Sequence, residues 1–417
     1  MGIGAESLKQ EKYRGRYDAI ADGALVFMAF SMNISTAGTS CAIGLLALVT
    51  LVRGIHLRIW PELDGGVGKV FLAYFLLEIA IAALSIDAKV SLREVVTEIH
   101  RSLPIFFALW FLKTKSQIKH VLLAFLASSL INDFYAMYQC YWLGFPRAIA
   151  FSHSWTFLGS FLLMQIPMLV LMMTLDFLPK WARRVSGIAI LISLQVLVLS
   201  GTRGAWLALF GVLVSAAVLD KRCRSYALKT CGVLLVATGL LCFASPAFQA
   251  RADTLADPQF QSNQERVLMW QSAMAIIRDY PVHGIGQDMF GLKYNTEYIS
   301  PLARERAPEG DPLHGHGHPH NNVLKVTSEG GVLGLCSFLL LHGYFFFRFW
   351  RLYRADSSSR TISCGMAAML ILLGLQFEGM TDTNMNQVPI MREYWLLVGM
   401  LFVLDRLMKH DVRGECE

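Results

Sequence analysis

The chain has 417 residues, of which 54% are apolar and only 16% charged. A soluble protein carries about 25% charged residues, so this deficit excludes an ordinary water-soluble enzyme and points to lipid as the solvent. The net charge of +6 is too small to call for a nucleic-acid partner.

At roughly 20 apolar residues per span, the length has room for about ten to twelve membrane helices and one modest extramembrane region. Apolar runs lie near 20–36, 37–52, 70–85, 103–112, 120–142, 156–178, 185–200, 204–219, 228–248, 323–347, 361–378 and 393–405. Residues 1–17 carry Lys9, Lys12, Arg14 and Arg16. No small-residue cleavage site closes a short apolar core there, so the first run reads as a retained span. The fourth run, Leu103 to Leu112, is too short to span alone, so it extends back through Glu98, His100 and Arg101 or forms a partial span. Leu92, Val95, Val96, Ile99 and Leu103 recur at three- and four-residue spacing, which predicts an interfacial amphipathic helix leading into it. Asn132, Asp133, Gln195 and Gln376, inside apolar runs, are expected to hold helices together. No internal repeat relates two halves, which disfavours a paired-half transporter. The eight cysteines form no disulfide pattern, and none lies between Gln249 and Leu335. That segment must be held by helices packing onto the bundle.

Orientation follows from Lys and Arg in the short loops. With the N-terminus cytoplasmic, 24 of the 37 basic residues fall in cytoplasmic segments. Both termini are then expected inside, and residues 249–322 outside, between spans nine and ten. The expected fold is an all-α polytopic membrane protein of about twelve transmembrane helices. It forms one integral domain over 1–417, with 249–322 as a helical loop that is periplasmic in a Gram-negative inner membrane.

Three stretches on that outer face carry chemistry. In Ser200-Gly201-Thr202-Arg203-Gly204-Ala205-Trp206, a tight turn between two spans fixes Arg203 on the side where arginine is uncommon. Its flanking glycines allow another backbone or a ligand to approach closely. An arginine snorkelling to headgroups is the plainer reading. In Ser262-Asn263-Gln264-Glu265-Arg266, the Ser262/Glu265 spacing predicts a capping box. The helix it opens carries Trp270, Ala273, Met274 and Ile277 on an apolar stripe and stops at Tyr280-Pro281. Arg266 near the positive end of that helix invites an anion, and a forked guanidinium suits phosphate. Pairing with Asp253, Asp257 or Glu265 is the alternative.

The third stretch, His314-Gly-His316-Gly-His318-Pro-His320-Asn321-Asn322, alternates histidines but offers no acidic or cysteine partner at metal-ligand spacing, so no metal is assigned. His320 differs because Asn321 or Asn322 caps a helix re-entering the membrane. The positive helix end favours an uncharged imidazole able to accept a proton. Gly330, Gly331 and Gly334 read as packing glycines.

Taken together, S-G-T-R-G at 200–204, Glu265-Arg266 with Trp270, Pro281-Val-His-Gly284-Ile285-Gly286, and His320-Asn321-Asn322-Val323-Leu324 followed by Glu329-Gly330-Gly331 resemble the O-antigen ligase and polymerase superfamily over about residues 185–345. The resemblance implies a GT-C-like membrane fold and metal-independent glycosyl transfer without nucleotide sugar or other cofactor. The implied donor is an O-antigen glycan on undecaprenyl diphosphate. For the ligase branch, the acceptor is the lipid A–core oligosaccharide. On this reading His320 deprotonates the acceptor hydroxyl, Arg203 and Arg266 neutralise the diphosphate, and His318, Asn321, Glu329 and Thr202 support them. O-antigen polymerase and protein O-oligosaccharyltransferase are the nearest alternatives. A lipid-linked oligosaccharide flippase or permease is the non-enzymatic one.

Overall fold

The computed structural model describes residues 2–62, 65–244, 261–306, 317–356 and 360–414, together with 249, 253 and 358. His314, His316 and Asp257 lie outside the described residues. Among those described, every regular element is helical. The helices are α1 (Gly2–Ser31), α2 (Thr36–Leu57), α3 (Gly65–Ala83), α4 (Ala88–Phe111), α5 (Lys115–Tyr141), α6 (Trp155–Met173), α7 (Lys180–Ser200), α8 (Arg203–Leu219) and α9 (Lys221–Ala244). They continue with α10 (Gln261–Asp279), the single turn α11 (Phe290–Lys293), α12 (Pro301–Arg306), α13 (Asn322–Arg354), α14 (Cys364–Glu378) and α15 (Val388–Gly414). Each apolar run falls on one of these helices. Six of them (α2, α3, α5, α6, α7 and α13) are long and apolar enough to cross a membrane, and α8 and α14 are apolar but shorter.

Short connections make successive helices antiparallel. The N-termini of α4, α8, α13 and α15 therefore gather at one end with the C-termini of α3 and α14. Contacts there confirm it: Ile86 N–H donates to Ile285 O at 3.1 Å and Asn322 N–H to Gly379 O at 2.7 Å. The basic segments meet at the opposite end, where Arg222 bridges to Asp356 at 3.1 Å.

Helix α4 decides how the fourth run is completed. It is a single helix with Pro104 inside it that extends back through Glu98, His100 and Arg101, and not a partial span behind a separate interfacial segment. Leu92, Val96 and Ile99 face outward while Val95 is buried. The polar side faces inward, where Arg101 pairs with Glu94 at 2.9 Å and Glu98 at 3.5 Å. A charge left facing hydrocarbon costs roughly 2.5–3.5 kcal/mol or more, so an inward polar face is the stable arrangement. Elsewhere, polar residues do join helices. Asp133 accepts from Gln165 and Ser193, both at 2.8 Å. Asn132 accepts from Phe151 N–H at 3.3 Å, and Gln195 donates to Tyr141 at 2.8 Å. Gln376 differs: its Nε2 is buried with no hydrogen-bond partner.

Helix α10 is described from Gln261, so Ser262 lies inside its first turn and not at its N-cap. It ends at Asp279, before Pro281, as its sequence predicts. It packs on a small core of its own built from Met269, Ala273, Ile276, Ile285, Met289, Phe290 and Tyr294. What fixes this unit to the bundle is a break in α13. Gly331 adopts φ 60°, ψ −152° inside that helix, and the groups freed by the break are taken up by the Pro281–Gly286 loop. Ile285 and Gly286 N–H donate to Ser328 O and Glu329 O at 3.2 and 2.8 Å. Val332 and Leu333 N–H donate to Pro281 O and Val282 O at 2.8 and 3.1 Å. Backbone meets backbone so closely that a Cβ on Gly284 would sit 2.3 Å from Glu329 C, and one on Gly331 2.4 Å from Val282 C. Gly331 thus serves a helix break and a loop docking and not helix–helix contact, whereas Gly330 faces α3, where a Cβ would sit 3.4 Å from Ile81.

Both Gly284 and Gly331 also have positive φ, which costs a residue with Cβ about 1–2 kcal/mol before any clash. Gly284→Ala is therefore expected to undock α10 and lower the melting temperature of detergent-solubilised protein. A melting curve matching that of the parent would show that the loop tolerates displacement.

Candidate active site

Two motifs from different parts of the chain meet at the gathered end. Gly201 ends α7 in the left-handed conformation, and the chain turns at once into α8, whose first residue is Arg203. Arg203 is 8% exposed, and its Nη2 donates to Asn263 Oδ1 of α10 at 3.0 Å. The close approaches allowed by the glycines are made by protein groups. A Cβ on Gly201 would meet Arg147 Nε at 3.0 Å, and one on Gly204 would meet Thr381 Oγ1 at 2.4 Å.

Arg203 and Arg266 line one cleft with Arg147, Trp155, Thr202, Glu378, Thr381 and Asp382. The cleft encloses about 720 Å³ including its open mouth. Arg147 is held by Ser200 O at 2.8 Å and stacks 4.1 Å above the Trp155 ring. Arg266 Nε is buried with no hydrogen-bond partner among the described residues. Three guanidinium groups and the positive N-terminus of α8 make this a strongly anion-seeking site.

His320 joins the cleft through Asp382. Its Nδ1 lies 3.0 Å from Asp382 Oδ1. Asn321 caps α13, accepting from Leu324 N–H at 3.0 Å, and ties to Met380 O at 2.9 Å. His320 itself has φ 49°, a conformation that costs a residue with a side chain and persists only where surroundings impose it. With Nδ1 engaged by the carboxylate, Nε2 is the atom that can take a proton.

Burial by itself raises the Asp382 carboxyl, but the hydrogen bond and charge of His320, the Thr383 N–H at 2.7 Å and the charge of His318 outweigh it. The group is held below its ordinary value of 3.8. A carboxyl lowered by folding stabilises the native state above its unfolded value, and that contribution fades only as pH falls through the lower folded value. Asp382 therefore stays ionised across the neutral range. Asp382→Asn is expected to cost on the order of 100-fold or more in turnover, as loss of the orienting carboxylate does in triads.

Of the sequence-derived supporting residues, Thr202 lines the cleft and donates to Trp155 O at 2.9 Å. The His318 ring centroid stands 4.4 Å from that of His320. Asn321 acts as a cap. Glu329 lies elsewhere, bonded to Lys325 at 2.7 Å and to Phe290 N–H at 3.2 Å. Sequence reasoning missed Arg147, Asp382 and Glu378. Arg147 sits in a short connection at the basic-poor end, the same signal that picked out Arg203. The two acids come from beyond the recognised motifs. His318, His320 and Asp382 also place one donor atom each within 4.8 Å of one another, so they could hold a metal ion.

No curated protein matches the chain. The family model Wzy_C, described as O-antigen ligase, matches residues 188–339. That stretch holds Arg203, Arg266, His320 and the Gly284 and Gly331 contact, while Arg147 and Asp382 lie outside it. Over this region, which holds the helix break and two of the cleft's three arginines, the chain is similar to the O-antigen ligase family.

Proposed function

We propose that the chain is a membrane glycosyltransferase that moves an O-antigen glycan from undecaprenyl diphosphate to a hydroxyl of lipid A–core oligosaccharide. The observation that carries this is the His320–Asp382 pair at the edge of a cleft lined by three arginines. His320 Nε2 takes the proton of the acceptor hydroxyl, and the hydroxyl oxygen bonds to the donor anomeric carbon. The bond from that carbon to the diphosphate oxygen breaks, and its electron pair leaves on the diphosphate. Arg203, Arg266 and Arg147 neutralise the charge that develops there. Attack opposite the leaving group inverts the anomeric centre. The reading makes the chain one integral domain of the bacterial inner membrane, GT-C-like, with both termini cytoplasmic and the cleft periplasmic. The gathering of basic segments at the opposite end supports that orientation.

The chemistry is proposed to be metal-independent, because the direct Nδ1–carboxylate contact already fixes the imidazole. Activity retained after chelator treatment supports this. Loss restored by zinc would convert His318, His320 and Asp382 into a metal site. The polymerase reading shares the donor but uses a growing glycan as acceptor. Lipopolysaccharide gels from cells with and without the gene separate the two. Complete loss of attached glycan means ligase, whereas single-repeat caps without ladders mean polymerase. A flippase or permease is disfavoured because carriers place such residues near the bilayer midplane, whereas these arginines and histidines gather at one end.

A further inference from the structure

A second cleft opens beside the first and shares the same polypeptide wall. Its volume is about 700 Å³ including its mouth, within the roughly 300–1,000 Å³ usual for small-ligand sites. Asn322 and Thr383 line it, while Asp382 lines the arginine cleft. Thr383 is the chain neighbour of Asp382 and Asn322 is two residues from His320, so the His320–Asp382 pair adjoins this cleft.

This second cleft is built unlike the first. Its charged groups already have partners. Glu94 and Glu98 are bonded to Arg101, Glu329 to Lys325, and Glu78 to Gln287 and Ser337. Four lining residues nevertheless keep a buried polar atom with no hydrogen-bond partner among the described residues: Arg101 Nε, Gln287 Oε1, His342 Nε2 and Thr383 Oγ1. These residues are 3%, 8%, 9% and 2% exposed, so water cannot freely satisfy them. A buried polar group left unsatisfied is costly, and four around one cleft imply an occupant that supplies their bonds.

Their chemistry names its class. Arg101 Nε–H is a donor and Gln287 Oε1 an acceptor. His342 Nδ1 lies 3.0 Å from Phe338 O, so the proton is placed on Nδ1 and Nε2 is left as an acceptor. Thr383 Oγ1 can do either. Mixed donors and acceptors match sugar hydroxyls, each of which donates once and accepts. Four carboxyl groups against two cations repel phosphate, and a free guanidinium N–H repels a metal ion. The diphosphate belongs in the arginine cleft, and an uncharged hydroxyl-rich group belongs here.

We propose that this second cleft is the acceptor subsite, which binds an uncharged sugar unit of the acceptor glycan and presents its hydroxyl to His320. The assignment rests on the glycosyl-transfer reading. In an inverting displacement, the nucleophile approaches from the side opposite the leaving diphosphate, so acceptor and diphosphate need separate subsites, and Asn322 and Thr383 bring this cleft next to the His320–Asp382 pair in the chain.

The test uses the full-length protein in nanodiscs and two variants, Thr383→Val and His342→Phe, each of which deletes one unpartnered atom. Binding of delipidated core oligosaccharide is followed by saturation-transfer NMR. We expect binding to the parent and to Arg203→Lys, with Kd raised at least fivefold in Thr383→Val and His342→Phe. Failure of the parent to bind, or unchanged Kd in both folded variants, overturns the proposal. Melting curves identify any variant that has not folded, and Gln287→Met then takes its place. In the transfer assay, the same variants are expected to raise the acceptor KM fivefold or more with donor KM unchanged, and the reverse pattern also overturns the proposal. Oligosaccharide binding without any transfer by the parent would sink the transferase reading while leaving the sugar subsite standing.

Discussion

Replacing His320 with alanine is expected to abolish O-antigen ladders in a strain lacking its own ligase, with protein levels unchanged. A positioned general base contributes about 10²–10⁴-fold, and the lower figure already reduces ladders below detection on a stained gel. Three features make this residue the one to remove. Its Nδ1 is fixed by Asp382, its backbone is held at φ 49°, and Asn321 pins the following helix turn. The ring therefore has one orientation and one nitrogen left for a proton. His318 is the built-in control. Its ring stands close enough to substitute, but the Asp382 contact is made by His320. His318→Ala should thus keep most activity. Near-normal ladders in His320→Ala would remove the base assignment, and loss in both variants would favour the metal-holding trio over the dyad.

Arg203→Lys is expected to be almost as damaging, about 10²–10³-fold, the usual cost of one donor to a developing anion. Charge is retained in this variant, so a purely electrostatic role would survive it. Arg203 also holds Asn263 at 3.0 Å, tying α8 to α10, and one ammonium cannot bond Asn263 and a phosphate oxygen in the same fork. Arg266→Lys leaves that tie intact and replaces the forked guanidinium, with its buried Nε, by a single ammonium, so its loss should fall on turnover without lowering thermal stability. The measurement is initial rate against donor concentration, with a melting curve for each variant. If both lysine variants turn over like the parent, the forked contact is not used, and the arginines act as headgroup anchors.

The shortage of charge and the twelve apolar runs determined that the chain is a bundle of membrane helices, because hydrocarbon leaves the backbone no partner but itself. Arg203, Arg266 and His320 were legible for a related reason: polar side chains at a basic-poor membrane edge are costly unless used. Loop positions reported the turn at Gly201 and the stop before Pro281, which depend only on neighbouring residues. Tertiary structure alone decided what depends on distant partners. Asp382 is 62 residues from His320, and no local pattern announces that they touch. The apolar spacing of Leu92 to Leu103 predicted an interfacial helix, yet Arg101 on that helix is buried against two glutamates, since a helix period shows which residues share a face but not which way that face turns. Gly331 read as a packing residue. Only the loop at 281–286, folding back to satisfy the broken α13, shows that its backbone conformation is what the fold requires.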